Sequence, residues 1–137
     1  MATVDFKSTV TYCKVIPSEI EGRSESVNII IGDNIPGYVF DKTSGEKVEQ
    51  NVNTISPFYG EVVKALCTDK IIGAYLVSMD HAKKLEKIPM LLSGATIMFS
   101  REHDVDNVQY LTRINKIIVD DILKDMVREA LMSAIKI

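Results

Sequence analysis

The sequence predicts an α+β fold: a curved antiparallel sheet, or a partly open barrel, with one helix in the middle of the chain and an amphipathic helix at its C-terminal end. Three patterns support this class. Apolar and polar residues alternate in several short segments, as in strands with one buried face. Apolar residues recur at helical spacing in residues 57–68 and 122–135. Residues 88–119 place two strand-like stretches around a charged loop, which indicates a β-hairpin.

The size and composition fit a single globular domain over residues 1–137, long enough to bury a core. Hydrophobic residues make up 46% of the chain and charged residues 26%, which is typical of folded rather than disordered proteins. The longest uncharged segment, Ile88–Ser100, is shorter than the roughly 20 residues of a membrane span. The initial MATVDFK lacks the apolar stretch of a secretory signal. We therefore expect a cytoplasmic or virion protein.

The net charge and the numbers of cysteine and histidine residues limit the kinds of binding site that the sequence predicts. The chain carries 16 basic and 19 acidic residues, a net charge of −3, so any anion-binding surface must be local. Two cysteines and two histidines are too few and too dispersed to indicate a zinc site. We expect Cys13 and Cys67 to be reduced, and we expect no metal or other cofactor.

The N-terminal part predicts two strands. The first covers residues 4–16, with its even-numbered apolar residues on one buried face. Residues 17–25 contain Pro, Ser and Gly and predict an exposed loop. A second strand follows at residues 26–32, and GDNIPG (residues 32–37) predicts a turn. The apolar residues that share one face within each strand are Val4, Phe6, Val10, Tyr12 and Ile16, and then Val27, Ile29 and Ile31.

Residues 38–55 predict a second hairpin around a DKTSG turn. Ser56 and Pro57 predict the start of a helix over residues 57–68, because Ser can cap a free amide and Pro fits the first helical position. The apolar stripe of this helix, which includes Phe58, Val62 and Leu66, should pack on the sheet.

The C-terminal half predicts a buried strand at residues 71–78 and a short helix that Pro89 stops. The late hairpin follows, and the terminal helical segment begins with Asp120 and Asp121, whose charges suit the N-terminal end of a helix. Its apolar stripe over residues 122–135 is too large to be left in water, so it should pack on the sheet or on a partner.

No motif in the sequence fixes a reaction. GDNIPG lacks the Gly-Lys-Ser/Thr ending of a phosphate-binding loop, and no GxSxG motif is present. Carboxylates that act as an acid–base pair are brought together in space and leave no local pattern. A small enzyme is therefore a third hypothesis, behind binding and assembly.

Aromatic and basic residues on the hairpins are candidates for binding single-stranded nucleic acid, because rings can stack on bases while Lys and Arg hold phosphates. Cross-strand packing of the rings, and solvation of the basic residues, are the alternatives that the sequence leaves open. The candidates are Tyr38 and Phe40 on the middle hairpin, Arg101, Tyr110 and Arg113 on the late hairpin, and Lys83 and Lys84 on the short helix.

The late hairpin also carries a family resemblance. LLSGATIMFSRE (residues 91–102), followed by a polar loop and YLTRINKI (residues 110–117), resembles the late hairpin of phage-type single-stranded DNA-binding proteins, which have an oligonucleotide-binding (OB) fold. The resemblance implies an OB-like barrel and a binding site on a face of its strands.

The leading hypothesis is therefore a single-stranded nucleic-acid-binding protein. The alternative is a phage or viral structural protein whose terminal helix and sheet edges contact neighbouring subunits. The expected partners are single-stranded nucleic acid, and either further copies of the chain or other protein subunits, with no membrane partner.

Overall fold

The computed structural model describes residues 3–16, 25–79, 81–104 and 109–135, without the side chains of residues 81–86, 109 and 134–135. Within these ranges, three strands are followed by three helices, then by two strands and a last helix. The elements are β1 (Thr3–Ile16), β2 (Ser26–Phe40), β3 (Lys47–Ile55), α1 (Tyr59–Leu66), α2 (Lys70–Ser78), α3 (His81–Leu92), β4 (Thr96–Asp104), β5 (Gln109–Ile118) and α4 (Asp121–Ile135).

All pairs of neighbouring strands in the sheet are antiparallel, in the order β3-β2-β1-β4-β5. The central strand β1 is shared between two halves of the sheet. Residues 3–9 pair with β4, and residues 10–16 pair with β2. The predicted α+β class with an antiparallel sheet is confirmed, although α2 lies in the middle of the chain in addition to the two helices predicted there, over residues 57–68 and before Pro89.

The prediction that β1 buries its even-numbered residues throughout is wrong. The pairing register with β2 shifts between Val10 and Tyr12. Because side chains alternate with a period of two, such a shift moves all later side chains to the opposite face. Val10 is buried, but Tyr12 is 53% exposed and Cys13 is buried in its place. Val4 and Ile16, near the two ends of the strand, are also exposed.

In β2 the predicted burial of Val27, Ile29 and Ile31 is confirmed. The predicted turn at residues 32–37 is wrong, because β2 continues to Phe40 and a register irregularity lies between Ile30 and Ile35. Glycine and proline are tolerated in a strand at such an irregularity. The hairpin between β2 and β3 is confirmed.

Helix α1 forms where it was predicted, but Ser56 does not cap it. The N-cap residue is Phe58, without a side-chain cap. Ser56 lies too far from the first turn because the chain here still follows β2: the amide of Val27 donates to the carbonyl of Pro57, at 3.0 Å. Val62 and Leu66 are buried as expected, whereas Phe58 is exposed.

The predicted strand at residues 71–78 is wrong, since these residues form α2. The carboxylate of Asp69 caps the helix by accepting from the amides of Ile71 and Ile72. The buried residues of this segment follow helical spacing, so tertiary packing outweighs the strand preference of its β-branched residues. They are Ile72, Gly73, Tyr75 and Leu76.

The prediction that Pro89 stops α3 is also wrong, because the helix runs through Pro89 to Leu92. Ile88, Leu91 and Leu92 are fully buried, and this packing holds the last turn in place. Gly94, two residues after the last helical residue, has a φ of 84° that suits glycine, and its amide donates to the carbonyl of Val10 in β1.

The late hairpin and the terminal helix are both confirmed. Helix α4 packs against α2, and Lys124 forms a 2.7 Å ion pair with Asp69. The described residues cover one side of its apolar stripe: Val127 is buried, whereas Met126 is 58% exposed. In the described part of the chain, no helix combines the length and apolar character needed to cross a membrane.

A candidate binding groove between the two hairpins

The inner face of β4 changes character along the strand. Ile97 and Phe99 are fully buried in the apolar core. The next inward residue, Arg101, is also buried, with only 8% of its surface exposed. A buried cation at this position marks the boundary between the core and a polar region formed by the β2–β3 and β4–β5 hairpins.

The guanidinium of Arg101 is held by two neighbours. Its Nη2 donates to the carbonyl of Pro36 at 2.9 Å, and its central carbon lies 4.7 Å from the centre of the Tyr110 ring. Within the described residues, Nε has no hydrogen-bond partner and no carboxylate forms an ion pair with Arg101. Burial lowers the pKa of Arg101 from its usual value.

Gly37 makes room for this arrangement. A side chain at Gly37 would place its Cβ 2.5 Å from Cγ2 of Val52 and 3.6 Å from Nη2 of Arg101. The backbone of β2 therefore approaches both side chains closely, and this requires glycine.

Three rings join the two hairpins, and we call Tyr38, His103 and Tyr110 the aromatic cluster. The rings of His103 and Tyr110 stack with centres 4.5 Å apart, and Tyr38 lies 5.0 Å from Tyr110. The hydroxyl of Tyr38 is hydrogen-bonded to Nε2 of His103. Because Tyr38 belongs to β2 and the other two rings to β4 and β5, the cluster holds the hairpins together through side chains.

Glu49 of β3 adds a further link. The hydroxyl of Tyr110 donates to Oε1 of Glu49 at 2.9 Å. Desolvation by burial, and then the hydrogen bond to Glu49, raise the pKa of Tyr110 to about 12. The pKa of Tyr38 is raised too, by desolvation and by the charge of Glu49. Both phenols are therefore neutral hydrogen-bonding groups at neutral pH.

A groove of about 570 Å³ lies between the hairpins and the start of α1. Two of its lining rings are open to solvent: Phe40 is 69% exposed and Phe58 is 62% exposed. Its charged lining residues are three basic ones and one acidic one, so the groove is locally positive in a chain with a net charge of −3. These residues are Lys47, Arg101, Arg113 and Glu61.

A second groove, of about 560 Å³, adjoins the first and shares five lining residues with it: Tyr38, Val39, Val52, Thr54 and Ser56. Its polar lining is uncharged and consists largely of amides, which can donate and accept hydrogen bonds. The amide residues are Asn34, Gln50, Asn51 and Asn53.

The structure brings five of the seven candidate residues to this one groove: Tyr38, Phe40, Arg101, Tyr110 and Arg113. Their environments differ, because Phe40 and Arg113 are exposed whereas Arg101 is buried under Tyr110. The side chains of the other two, Lys83 and Lys84, lie outside the described residues.

Sequence reasoning missed two exposed lining residues, Phe58 and Lys47. Phe58 lies four residues before Val62 and was therefore assigned to the buried stripe of α1. Lys47 pairs directly with Phe40 across the β2–β3 hairpin, and its Nζ lies 6.0 Å from the Phe40 ring. The register of the predicted hairpin was the signal that could have found it.

No known protein family, no curated protein and no solved structure matches this chain. In residues 3–16, 25–79, 81–104 and 109–135, no group of three or more His, Cys, Asp or Glu side chains is arranged to hold a metal ion. The properties of the groove are therefore the basis for inferring function.

Proposed function

We propose that the protein binds single-stranded nucleic acid in the groove between its hairpins. One observation carries the proposal: two exposed phenylalanine rings, Phe40 and Phe58, line a groove whose charged residues are mostly basic. Proteins that bind single strands combine aromatic rings, on which bases stack, with a positively charged groove that follows the phosphates.

The topology supports this proposal, and we infer an OB-like, partly open barrel. Strands β1, β2 and β3 follow one another as antiparallel neighbours, β4 returns to the other side of β1, and β5 follows it. The groove then lies in the gap between the edge strands β3 and β5. An OB fold is a five-stranded, partly open barrel that binds oligonucleotides on the face of strands 2 and 3.

The lining residues divide into three roles. Phe40, whose ring lies beside Lys47, and Phe58 are exposed and stack on bases, and Lys47 and Arg113 supply charge for the phosphates. Tyr38 and Tyr110 already contact each other and set the distance between the hairpins.

Fluorescence anisotropy with a labelled single-stranded oligonucleotide tests the proposal. Phe40→Ala and Phe58→Ala should each weaken binding by about 1–3 kcal/mol, because each removes a stacking ring. The melting temperature should hardly change, since both rings are exposed. Tyr12→Ala is the matched control, because Tyr12 is an exposed aromatic residue on β1 outside the groove.

Salt dependence separates phosphate contacts from stacking. Each phosphate contact to a single strand contributes about 0.7 to the slope of log affinity against log salt concentration. Lys47→Ala and Arg113→Ala should each reduce the slope by about that amount, whereas Phe58→Ala should leave it unchanged. Binding that responds to none of these substitutions would refute the proposed site.

A second candidate function, assembly with further copies of the chain, is favoured by the exposed side of α4. Ile122, Met126 and Met132 are exposed there. Light scattering should then report an oligomer that Met126→Asp converts to a folded monomer. A monomeric mass for the unmodified protein would remove this candidate.

A further inference from the structure

Arg101 differs from the other basic residues of the groove in being buried. It lines the groove, yet only 8% of its surface is exposed. Among the described residues it has no acidic partner, and its Nε has no acceptor. A buried charge without a counter-ion is costly, and proteins keep such charges paired or place them where a ligand supplies the opposite charge.

One hydrogen bond of the Arg101 guanidinium to a described residue is seen, although the residue lines the groove. A guanidinium has five N–H groups in a planar fork, and the carbonyl of Pro36 accepts from Nη2. The ring of Tyr110 lies against the guanidinium, with the central carbon 4.7 Å from the ring centre. Such a fork matches the oxygen atoms of a phosphate, to which it can donate two parallel hydrogen bonds.

The shape of the groove near Arg101 favours a phosphate at the end of a ligand. The backbone of β2 runs close to the guanidinium, since a Cβ at Gly37 would lie 3.6 Å from Nη2 of Arg101 and 2.5 Å from Cγ2 of Val52. A phosphodiester within a strand needs room for the chain to continue on both sides, whereas a terminal phosphate needs one open side only. A phosphate monoester also carries a charge of about −1.5 to −2 at neutral pH and so offers more charge to a buried cation than a diester does.

We propose that the groove binds a nucleotide that ends in a phosphate monoester, with the phosphate at Arg101 and the base against Phe40 or Phe58. The inference rests on the proposed function and specifies its ligand. The phosphate can belong to a free nucleoside monophosphate or to the phosphorylated end of a strand, and the two share this chemistry.

Isothermal titration calorimetry with four ligands tests the inference. Three of them are forms of one oligonucleotide, which carries a 5′-phosphate, a 3′-phosphate or no terminal phosphate. The fourth is a nucleoside 5′-monophosphate. The unmodified protein should bind at least one phosphorylated oligonucleotide about tenfold or more tightly than the unphosphorylated one, because charge-assisted hydrogen bonds are added. Tight binding of the monophosphate alone would identify a free nucleotide as the ligand, and tight binding of a phosphorylated oligonucleotide alone would identify a strand end.

The diagnostic quantity is the ratio of the affinity for the phosphorylated oligonucleotide to the affinity for the unphosphorylated one. Arg101→Gln should reduce it to about one, and Arg101→Lys, which keeps the charge but loses the fork, should give an intermediate ratio. Arg113→Gln, the matched control at an exposed basic residue of the same groove, should weaken all the oligonucleotides without changing the ratio. If Arg101→Gln does not fold, two measurements still test the phosphate site. One is the affinity ratio of Arg101→Lys, and the other is whether inorganic phosphate competes with the phosphorylated oligonucleotide for the unmodified protein.

The two proposals fail in different ways. Equal affinities for all three oligonucleotides and no tight binding of the nucleoside monophosphate, together with weaker binding by the Phe40 and Phe58 variants, would refute the terminal phosphate and leave the binding groove. A phosphate preference that survives Arg101→Lys and Arg101→Gln unchanged would refute the role of Arg101. Binding that is insensitive to Phe40 and Phe58 would refute the groove itself.

Discussion

Two successive inward residues of β4 lie in contrasting surroundings. The ring of Phe99 is fully buried and stacks on Phe6 of β1, with ring centres 5.4 Å apart. Two residues later, Arg101 is almost as deeply buried, but it lies under Tyr110 and lines the groove. Burial in the core stabilises the fold, since it removes apolar surface from water. Burial of Arg101 removes a charge from water, which costs free energy, so we infer that this residue serves ligand binding rather than stability.

The same contrast holds for the elements around these residues. Phe99 belongs to one apolar core that also contains the fully buried helical residues Leu76, Ile88 and Leu91. Around Arg101, the two hairpins meet through polar side chains, such as Tyr110 and Glu49. We therefore expect the free energy of unfolding to depend on the core and ligand binding to depend on the groove.

The largest expected effect on the free energy of unfolding comes from substituting Phe99, compared with a separate substitution of Arg101. Phe99→Ala should lower the free energy of unfolding by about 3–5 kcal/mol, because it leaves a cavity in a packed core. Arg101→Met should change it by about 1 kcal/mol or less in either direction, since an apolar side chain of similar size avoids the desolvation of the charge but loses a hydrogen bond. Urea unfolding monitored by circular dichroism measures both.

A loss of several kcal/mol for Arg101→Met would contradict the comparison. It would mean that the guanidinium holds the hairpins in place as a structural element. Phe6→Leu provides a milder test of the core, because it shortens the stacked pair without opening a cavity of comparable size.

The two regions also differ in how far the sequence predicts them. Strand alternation placed Val27, Ile29 and Ile31 in the core, and the helical stripe of α1 placed Val62 and Leu66 there. These predictions depend on local periodicity, which burial on one face imposes directly. The strand predicted at residues 71–78 failed because a short apolar run has no decisive period, and the capping carboxylate of Asp69 lies just before it.

The groove depends on contacts that no local pattern contains. The sequence indicated Arg101 and Tyr110 as binding residues, but the burial of Arg101 results from the approach of Pro36 and Gly37, more than sixty positions earlier in the chain. Likewise, the shift in β1 after Val10 exposes Tyr12 against the prediction, because strand pairing sets the position of a bulge.

A smaller effect is expected where α4 joins the helical layer. Asp69 caps α2 and also pairs with Lys124, and the hydrogen bond to Lys124 is the main cause that lowers the pKa of Asp69. Asp69→Ala should cost about 0.5–2 kcal/mol, mostly through the lost cap. Its stabilising contribution should be present above the usual aspartate pKa and be lost as the pH falls through the lowered one.

Asp125→Ala is the matched control, because Asp125 forms an exposed pair with Arg128 at 3.2 Å within the same helix. Exposed pairs contribute little, so a change of less than about 0.5 kcal/mol is expected. Chemical denaturation of both variants should therefore rank Asp69 above Asp125. Equal effects would show that Asp69, through its cap on α2 and its ion pair with Lys124 of α4, stabilises the helical layer no more than an exposed ion pair does.

The smallest effect distinguishes the core from the groove by acid–base behaviour. Burial raises the pKa of the Cys13 thiol in the core to about 11, whereas burial together with Glu49 raises that of Tyr110 to about 12. Glu49→Gln should therefore lower the pKa of Tyr110 and leave that of Cys13 unchanged. Ultraviolet titration of tyrosinate formation measures the first, with Tyr110→Phe to assign the signal, and the pH dependence of thiol alkylation measures the second.

The raised pKa also fixes the direction of the pH effect on stability. Because folding raises the pKa of Tyr110 above its usual value of 10.0, its contribution is complete below pH 10 and is lost as the pH rises towards about 12. Tyr110→Phe should remove that part of the alkaline loss of stability, since a phenyl ring cannot ionise. If the unmodified protein and this variant lose stability in parallel between these pH values, the bond from Tyr110 to Glu49 does not hold the hairpins together, and the groove must owe its shape to Arg101 and Gly37.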